Sequence, residues 1–365
     1  MKFECLKEKL LPALLKAERI TSKNPSLAVL SCVIIGASGN QVVIKSTNLE
    51  LGLEITLPAK IEEEGVIALI PGPFIAFISN LSSEKNISIS TNDKGILSIS
   101  CGGHKATLKT EKYDEFPNIP ESAEKEVSVN IESFIEGIQS VWYSASISSI
   151  KPELSSIYIY NDKEYIVFAA TDSFRLAEKR IKIKKSIEDL HVLIPYKNIP
   201  EIVKILEGVG GDVKISTDRN QISFNSPNLY LTSRVIDGVF PDYKKIIPAG
   251  STTEIILLKS ELVEALRIVR VFSDKFNQIS LSVSSPKGIC EFTSKNSDIG
   301  EGTYVLKVKI KGESVNLNFN HKYLFDCIQS IPTESVIFKF NGQGKALVIE
   351  GYNDNTFTYL VMPNR

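Results

Sequence analysis

The sequence predicts an α+β chain of three tandem domains, each with two helices among many short antiparallel strands. Three observations lead there. A chain of 365 residues is too long for one hydrophobic core. The same punctuation recurs at a fixed offset: Leu69-Ile70-Pro71 and Leu193-Ile194-Pro195 each open a short helical pattern, and Phe116-Pro117 and Phe240-Pro241 each follow a strand-like segment, both pairs 124 residues apart. Between these markers the alternating strands Ile87 to Thr91 and Ile96 to Ile99 reappear in the same order as Val213 to Thr217 and Ile222 to Phe224.

The last third repeats the plan more loosely. Phe319 to Leu324 takes the place of the proline-led helix, Val336 to Phe340 that of the inner strand, and Tyr359 to Pro363 that of the strand ending in proline. Each unit also opens with a short strand and an amphipathic helix, over Leu6 to Ile20, Ile131 to Tyr143 and Lys259 to Lys275; Leu10, Leu14 and Ala17, or Phe134, Ile138 and Val141, recur at helical spacing. A unit of about 120 residues exceeds a solenoid repeat and suffices for a domain. The small-residue joins at Pro120 to Glu124 and Pro248 to Ser251 set the expected domains at 1–121, 122–248 and 249–365.

In the middle unit, Tyr165 to Ala170 is an apolar run of high β-propensity, and Arg175-Leu176-Ala177 resumes it. Thr171-Asp172-Ser173 is therefore a tight turn joining two strands, in which Thr171 and Asp172 can bond nearby backbone N–H groups. Phe174 and Leu176 then present apolar surface beside a cation.

Composition excludes several function classes. With 43% hydrophobic and 23% charged residues the chain reads as a soluble globular protein, and a net charge of −1 excludes a uniformly basic nucleic-acid coat without excluding segregated faces. Met1 to Ile20 alternates charges with leucines, so neither a signal peptide nor a membrane span is expected there, and the expected location is the cytoplasm. Cys5, Cys32, Cys101, Cys290 and Cys327 are dispersed and read as reduced core residues; no metal or cofactor is expected. His104, His191 and His321 are isolated, no Gly-x-Ser-x-Gly or phosphate loop occurs, and Gly208-Val209-Gly210-Gly211 precedes a strand rather than a helix. No catalytic residue is assigned.

Three two-helix domains, the turn Thr171-Asp172-Ser173-Phe174-Arg175-Leu176, the segment Phe240-Pro241-Asp242-Tyr243-Lys244-Lys245 and the ending Val361-Met362-Pro363-Asn364-Arg365 together resemble one family over the whole chain. It is the family of the bacterial sliding clamp, the beta subunit of DNA polymerase III. The resemblance implies three DNA-clamp domains per protomer and a head-to-tail homodimer closing into a six-domain ring. Such a ring encircles duplex DNA irrespective of sequence. It implies a non-catalytic processivity subunit that tethers the DNA polymerase III alpha subunit and also meets the clamp loader, other DNA polymerases and repair proteins bearing short clamp-binding motifs. Encirclement needs only a polar or basic inner wall. Lys7, Lys9, Lys16 and Arg19 on the first helix, Lys197 and Lys204 on the fourth, and Arg267, Arg270 and Lys275 on the fifth are available for it, whereas the second helix is uncharged from Gly72 to Leu81 and the third carries Glu132 and Glu136.

The resemblance also carries over sites, residue by residue. A partner-peptide cleft would be made by Leu154, Thr171, Ser173, Phe174, Arg175, Leu176, Pro241, Lys245, Ile246, Ala346, Leu360, Val361, Met362, Pro363, Asn364 and Arg365. Apolar walls would come from Leu154, Leu176, Ile246, Val361 and Met362, with Arg175 and Arg365 free for peptide carbonyls or acidic groups. Ser173 and Phe174 stand where glycine and histidine are common in the family, Lys245 replaces a frequent arginine, and Asn364 replaces an apolar residue. DNA outside the pore would meet Lys23 and Asn24, then Ser148, Ser149, Lys151, Pro152 and Glu153, with Lys197 in the pore. The dimer seam would set Ala106 and Leu108 against Val271 and Phe272, with Phe272 compensating for the small Ala106. The rival reading is a non-replicative three-domain peptide-binding scaffold that does not encircle DNA.

Overall fold

The computed structural model describes residues 1–22, 27–81, 86–92, 94–121, 126–183 and 190–364. The first repeat runs β1 (Lys2–Leu6), α1 (Lys7–Ile20), β2 (Val33–Ser38), β3 (Gln41–Thr47), β4 (Leu51–Pro58), β5 (Lys60–Glu63), β6 (Gly65–Leu69), α2 (Pro71–Ser79), β7 (Asn86–Thr91), β8 (Ile96–Cys101) and β9 (His104–Lys109). The second runs β10 (Glu126–Asn130), α3 (Ile131–Val141), β11 (Ser156–Asp162), β12 (Tyr165–Thr171), β13 (Arg175–Lys182), β14 (His191–Pro195), α4 (Ile199–Leu206), β15 (Asp212–Thr217), β16 (Gln221–Ser226) and β17 (Leu229–Arg234). The third runs β18 (Thr253–Leu258), α5 (Lys259–Arg270), β19 (Gln278–Ser284), β20 (Ile289–Asn296), β21 (Gly300–Lys307), β22 (Lys309–Gly312), β23 (Val315–Asn320), α6 (His321–Gln329), β24 (Ser335–Phe340), β25 (Leu347–Gly351) and β26 (Phe357–Val361). The expected strand-then-helix opening of each repeat is present. Two placements differ from expectation. Lys197 sits in a single 3₁₀ turn, Tyr196–Asn198, ahead of α4, and α5 stops at Arg270, short of Lys275.

Two compact units result, Met1–Glu132 with Lys197–Val235, and Ser133–Tyr196 with Ile236–Arg365, so the middle repeat contributes to both. The first unit holds a five-stranded sheet, β5-β1-β7-β8-β9, and an eight-stranded sheet, β10-β15-β16-β17-β4-β3-β2-β6. The second holds a nine-stranded sheet, β14-β11-β12-β13-β26-β25-β24-β18-β22, and a four-stranded sheet, β21-β20-β19-β23. Two of the four therefore cross repeats. The fourth strand of the first repeat pairs antiparallel with the last strand of the second, Leu51↔Ser233 to Ile55↔Leu229. The fourth strand of the second pairs the same way with the last of the third, Arg175↔Val361 to Lys179↔Phe357.

The helices bury one face each. Leu10, Ala13, Leu14, Ala17 and Ile20 make the buried stripe of α1, which tolerates Pro12 inside it at the loss of one backbone hydrogen bond. Helix α2 starts on Pro71, whose missing N–H is not needed there, and α6 is capped by Asn320, which accepts from Lys322 N at 2.9 Å. The end of each second helix receives a lysine. Lys7 Nζ donates to Ser79 O (3.3 Å) and Leu81 O beyond α2, Lys259 Nζ to Ile331 O (2.5 Å) beyond α6, and Lys16 Nζ to Ile205 O (2.6 Å) and Glu207 O (3.2 Å) at α4. Lys7 and Lys259 are the first residues of their own repeats' helices; the second repeat has Ile131 in that position, and Lys16 of the first repeat serves α4 instead. A cation at a C-terminus also complements the helix dipole.

Helix α3 lies against the aromatic interior of the second unit through Gly137. Phe134 meets Phe168 edge-on at 5.2 Å, and a Cβ on Gly137 would come within 2.4 Å of the Phe168 ring. Gly137→Ala is expected to destabilise by up to about 2 kcal/mol, since overpacking a rigid aromatic core, at about 1–3 kcal/mol, outweighs the roughly 1 kcal/mol of helix propensity that alanine gains; denaturant titration of the two proteins measures it, and a more stable variant would refute the contact.

Candidate partner-binding site

The hairpin β12–β13 closes on a turn held by its own side chains. Asp172 Oδ1 accepts from Phe174 N and Arg175 N, both at 3.0 Å, Thr171 Oγ1 accepts from Ser173 N at 3.2 Å, and the Thr171 hydroxyl donates to Arg175 O at 2.7 Å. Ser173 has φ +77°, the left-handed region, which explains why glycine suits this position. This turn meets the end of the chain: Met362 N donates to Phe174 O at 2.8 Å, continuing the β13–β26 ladder, and Asn364 N donates to Asn318 O at 2.8 Å. Thr171 to Leu176 and Leu360 to Asn364 are thus brought together as expected. Arg365 lies outside the described residues.

Strand alternation then sorts the expected residues onto two faces. Leu176 and Leu360, opposite each other in the ladder, point into one apolar cluster with Tyr160, Val167, Ala169, Leu193, Phe240, Tyr243 and Val348, and Ala346 packs at its margin. Arg175 and Val361, the next pair, point the other way. The Arg175 guanidinium binds Asp172 Oδ2 (2.9 Å) and Asp326 Oδ2 (2.8 Å) and lies 4.3 Å over the Tyr323 ring. Burial alone would lower its pKa, but the Tyr359 hydroxyl, Asp172 and Asp326 prevail and raise it. Arg175 is therefore a structural cation rather than a free peptide ligand, and Val361 is core, with no exposed surface. Strand alternation turns both away from the face that carries Leu176 and Leu360.

Several of the expected residues are exposed apolar side chains. Phe174 is 63% exposed, Ile246 59% and Met362 40%, while Pro241 is exposed and Lys245 pairs with Asp242 at 2.7 Å. Met362, Pro363 and Asn364 border a hollow of about 360 Å³ with Asn316, Asn318 and Gln343. Leu154 is buried at the base of the 145–155 loop, outside the cluster. Sequence reasoning missed the floor: Tyr243 donates to the buried Glu178 carboxylate at 2.5 Å and bonds the Tyr160 hydroxyl at 2.8 Å, and burial, then Glu178, push the Tyr243 hydroxyl far above its ordinary range. The Tyr158-Ile159-Tyr160 alternation and the Tyr243 in the quoted Phe240 segment were the available signals.

The other expected sites fare unevenly. Lys23 and Asn24 lie outside the described residues. Ser148, Ser149 and Lys151 are exposed, but their loop also presents Ile147 and Ile150, almost fully exposed, so it offers apolar surface as much as charge. Lys197 is exposed and pairs with Glu50 at 3.1 Å. Lys7 and Lys16 donate to helix-end carbonyls, and Arg19 binds Glu201 at 2.6 Å; Lys9, Arg267 and Arg270 are exposed. Ala106 and Leu108 lie half-buried on the edge strand β9. Phe272 is not at large to fill space beside Ala106: a Cβ on Gly302 would come within 2.2 Å of its ring, so it packs on its own domain, leaving Val271 64% exposed.

Comparison with known proteins covers the chain from end to end. Residues 1–120, 128–242 and 244–365 match the family models of the DNA polymerase III beta subunit N-terminal, central and C-terminal domains. The beta sliding clamp of Staphylococcus epidermidis is 24% identical over 354 residues, 94% of each chain, and that of Staphylococcus aureus 24% over 353. The crystal structure of the DNA polymerase III subunit beta from Pseudomonas aeruginosa superposes with a TM-score of 0.93 at 24% identity over all of both chains. That of the DNA polymerase sliding clamp from Bacillus subtilis gives 0.94 at 25%, over 100% of this chain and 99% of that one. Tyr243→Phe is expected to cost about 1–3 kcal/mol of stability, because it strips a donor from the buried Glu178 carboxylate; an unchanged denaturation midpoint would show that the floor does not depend on this bond.

Proposed function

The chain belongs to the family of the DNA polymerase III beta subunit, the sliding clamps, and on that premise we propose that two copies close head to tail around duplex DNA. The reading is of a non-catalytic processivity factor acting on DNA in the cytoplasm. Its three domains are 1–121, 122–248 and 249–365. One observation carries it. The fourth strand of each of the first two repeats pairs with the last strand of the next, β4 with β17 and β13 with β26, whereas β21, the fourth of the third repeat, and β9, the last of the first, are sheet edges. A second copy offers each edge the partner type that the chain already uses twice. Such a heterologous contact makes a ring when its rotation closes. Helix α5 supports the same seam: counted from the helix start, its Ile268 and the Val271 that caps its end stand where α1 has Lys16 and Arg19, the residues that grip α4, and both are exposed.

The cleft between turn and tail is where we place the short motifs of the polymerase alpha subunit, the clamp loader, other polymerases and repair proteins. Apolar side chains anchor over Leu176 and Leu360, and backbone contacts fix orientation. DNA contact falls to the exposed cations, Lys151 and Lys197 among them, and to Lys23 and Asn24.

Two measurements test this. The parent protein is expected to sediment at twice the mass of the chain and to stay on closed circular duplex but slide off after linearisation. Val271→Asp is expected to shift it to monomer, with retention lost. A retained dimer would move the seam elsewhere, and loss-free linear DNA would favour a scaffold that does not encircle. For the cleft, Leu176 is too deep for a clean probe, so Phe174→Ala with Met362→Ala is the useful pair. Affinity for a glutamine- and leucine-bearing peptide ending in leucine-phenylalanine is expected to fall about tenfold or more, or at least 1.4 kcal/mol, with the melting point unchanged. Parent-like binding would place the motif site elsewhere.

A further inference from the structure

The second unit contains a hollow of about 500 Å³ on the helical side of the nine-stranded sheet, away from the Leu176 face. Its walls are Glu136, Ser140, Trp142 and Tyr143 from α3 and the turn that follows it, and Asp326 and Gln329 from α6. The corresponding pair of helices one repeat earlier is α1 and α4. There Lys16 crosses from α1 and donates to the carbonyls of Ile205 and Glu207 at the end of α4, beside a further hollow of about 460 Å³ that Lys16 itself lines. Counted from the first helical residue, the position of Lys16 in α3 is Ser140. Ser140 is buried and faces the end of α6, but it is too short to reach across, and Lys259 serves only the neighbouring carbonyl of Ile331.

The chemistry of the walls matches the missing group. Trp142, stacked on Tyr196 at 5.6 Å, offers aromatic surface on which a cation is attracted, whereas the Tyr143 ring already has the Arg175 guanidinium 5.9 Å from its centroid. Glu136 holds Lys179 at 2.9 Å, and Asp326 holds Arg175 at 2.8 Å; each carboxylate turns one oxygen to an internal cation and has a second acceptor oxygen. With Asp172, also on Arg175, these ion pairs contain three carboxylates against two cations. We infer that this hollow is a binding site for an alkylammonium group, which occupies the place of the Lys16 ammonium between α3 and the end of α6. The group comes either from a free diamine or from a lysine side chain of a partner, and the two share the recognised chemistry.

Trp142 is the only tryptophan in the chain, so its emission reports on this hollow alone. Putrescine and, separately, N-acetyl-lysine amide are titrated into the full protein at constant ionic strength, with sodium chloride as the reference. A saturable change in Trp142 emission is expected with at least one of them; response to putrescine alone assigns the free diamine, and response to the capped lysine assigns a partner side chain. Ser140→Lys supplies the ammonium internally and is expected to abolish the response. Gln139→Lys, at an exposed position on the rim, keeps the test open should the buried variant misfold, and is expected to weaken binding at least tenfold. No saturable response beyond that of sodium chloride, or a folded Ser140→Lys protein that titrates like the parent, overturns the site.

Discussion

Antiparallel pairing between repeats is the constraint on which the rest of this molecule depends. A strand edge presents unpaired N–H and C=O groups, and a protein must cover, close or guard it. Here the last strands of the second and third repeats are each covered by the fourth strand of the preceding one, so that eight- and nine-stranded sheets pass through the repeats instead of stopping at them. The meeting of the Thr171 turn with the tail is a product of this. Only because β26 lies beside β13 do Leu176 and Leu360 stand opposite each other, with Met362 bonded to Phe174.

The same pairing accounts for the division of labour on β13. One face supplies the apolar floor and the Glu178 and Tyr243 bond beneath it; the other supplies Arg175 and Lys179, which are drawn into ion pairs with the helical layer. A strand buried on both faces lets a single hairpin carry an apolar floor and an interior brace at once.

Much of this was legible in the sequence. The 124-residue offset, the six α-helices among the described residues and the Thr171 turn all follow from periodicity and turn chemistry, which are local properties of the chain. The facing of side chains at the site was harder, because Arg175 and Leu176 are adjacent in sequence and the family resemblance assigned both to one cleft; pleating alone separates them. The role of the lysines was not legible at all. Lys7 and Lys16 look like any cations on a solvated helix, and only the tertiary approach of α2 and α4 reveals the carbonyls they bind. The Tyr243 to Glu178 bond spans 65 residues, a distance over which a sequence offers no register.

The edge strands β9 and β21 have a consequence for a single copy of the chain. Exposed strands recruit one another indiscriminately and seed aggregates. On β9, His104, Lys105 and Lys109 are exposed, and on β21 Glu301 and Lys307, so charged or polar side chains crowd both margins. Like edges of two copies, β9 against β9, would set lysines against lysines. A single copy of the chain therefore carries its own gatekeepers on β9 and β21.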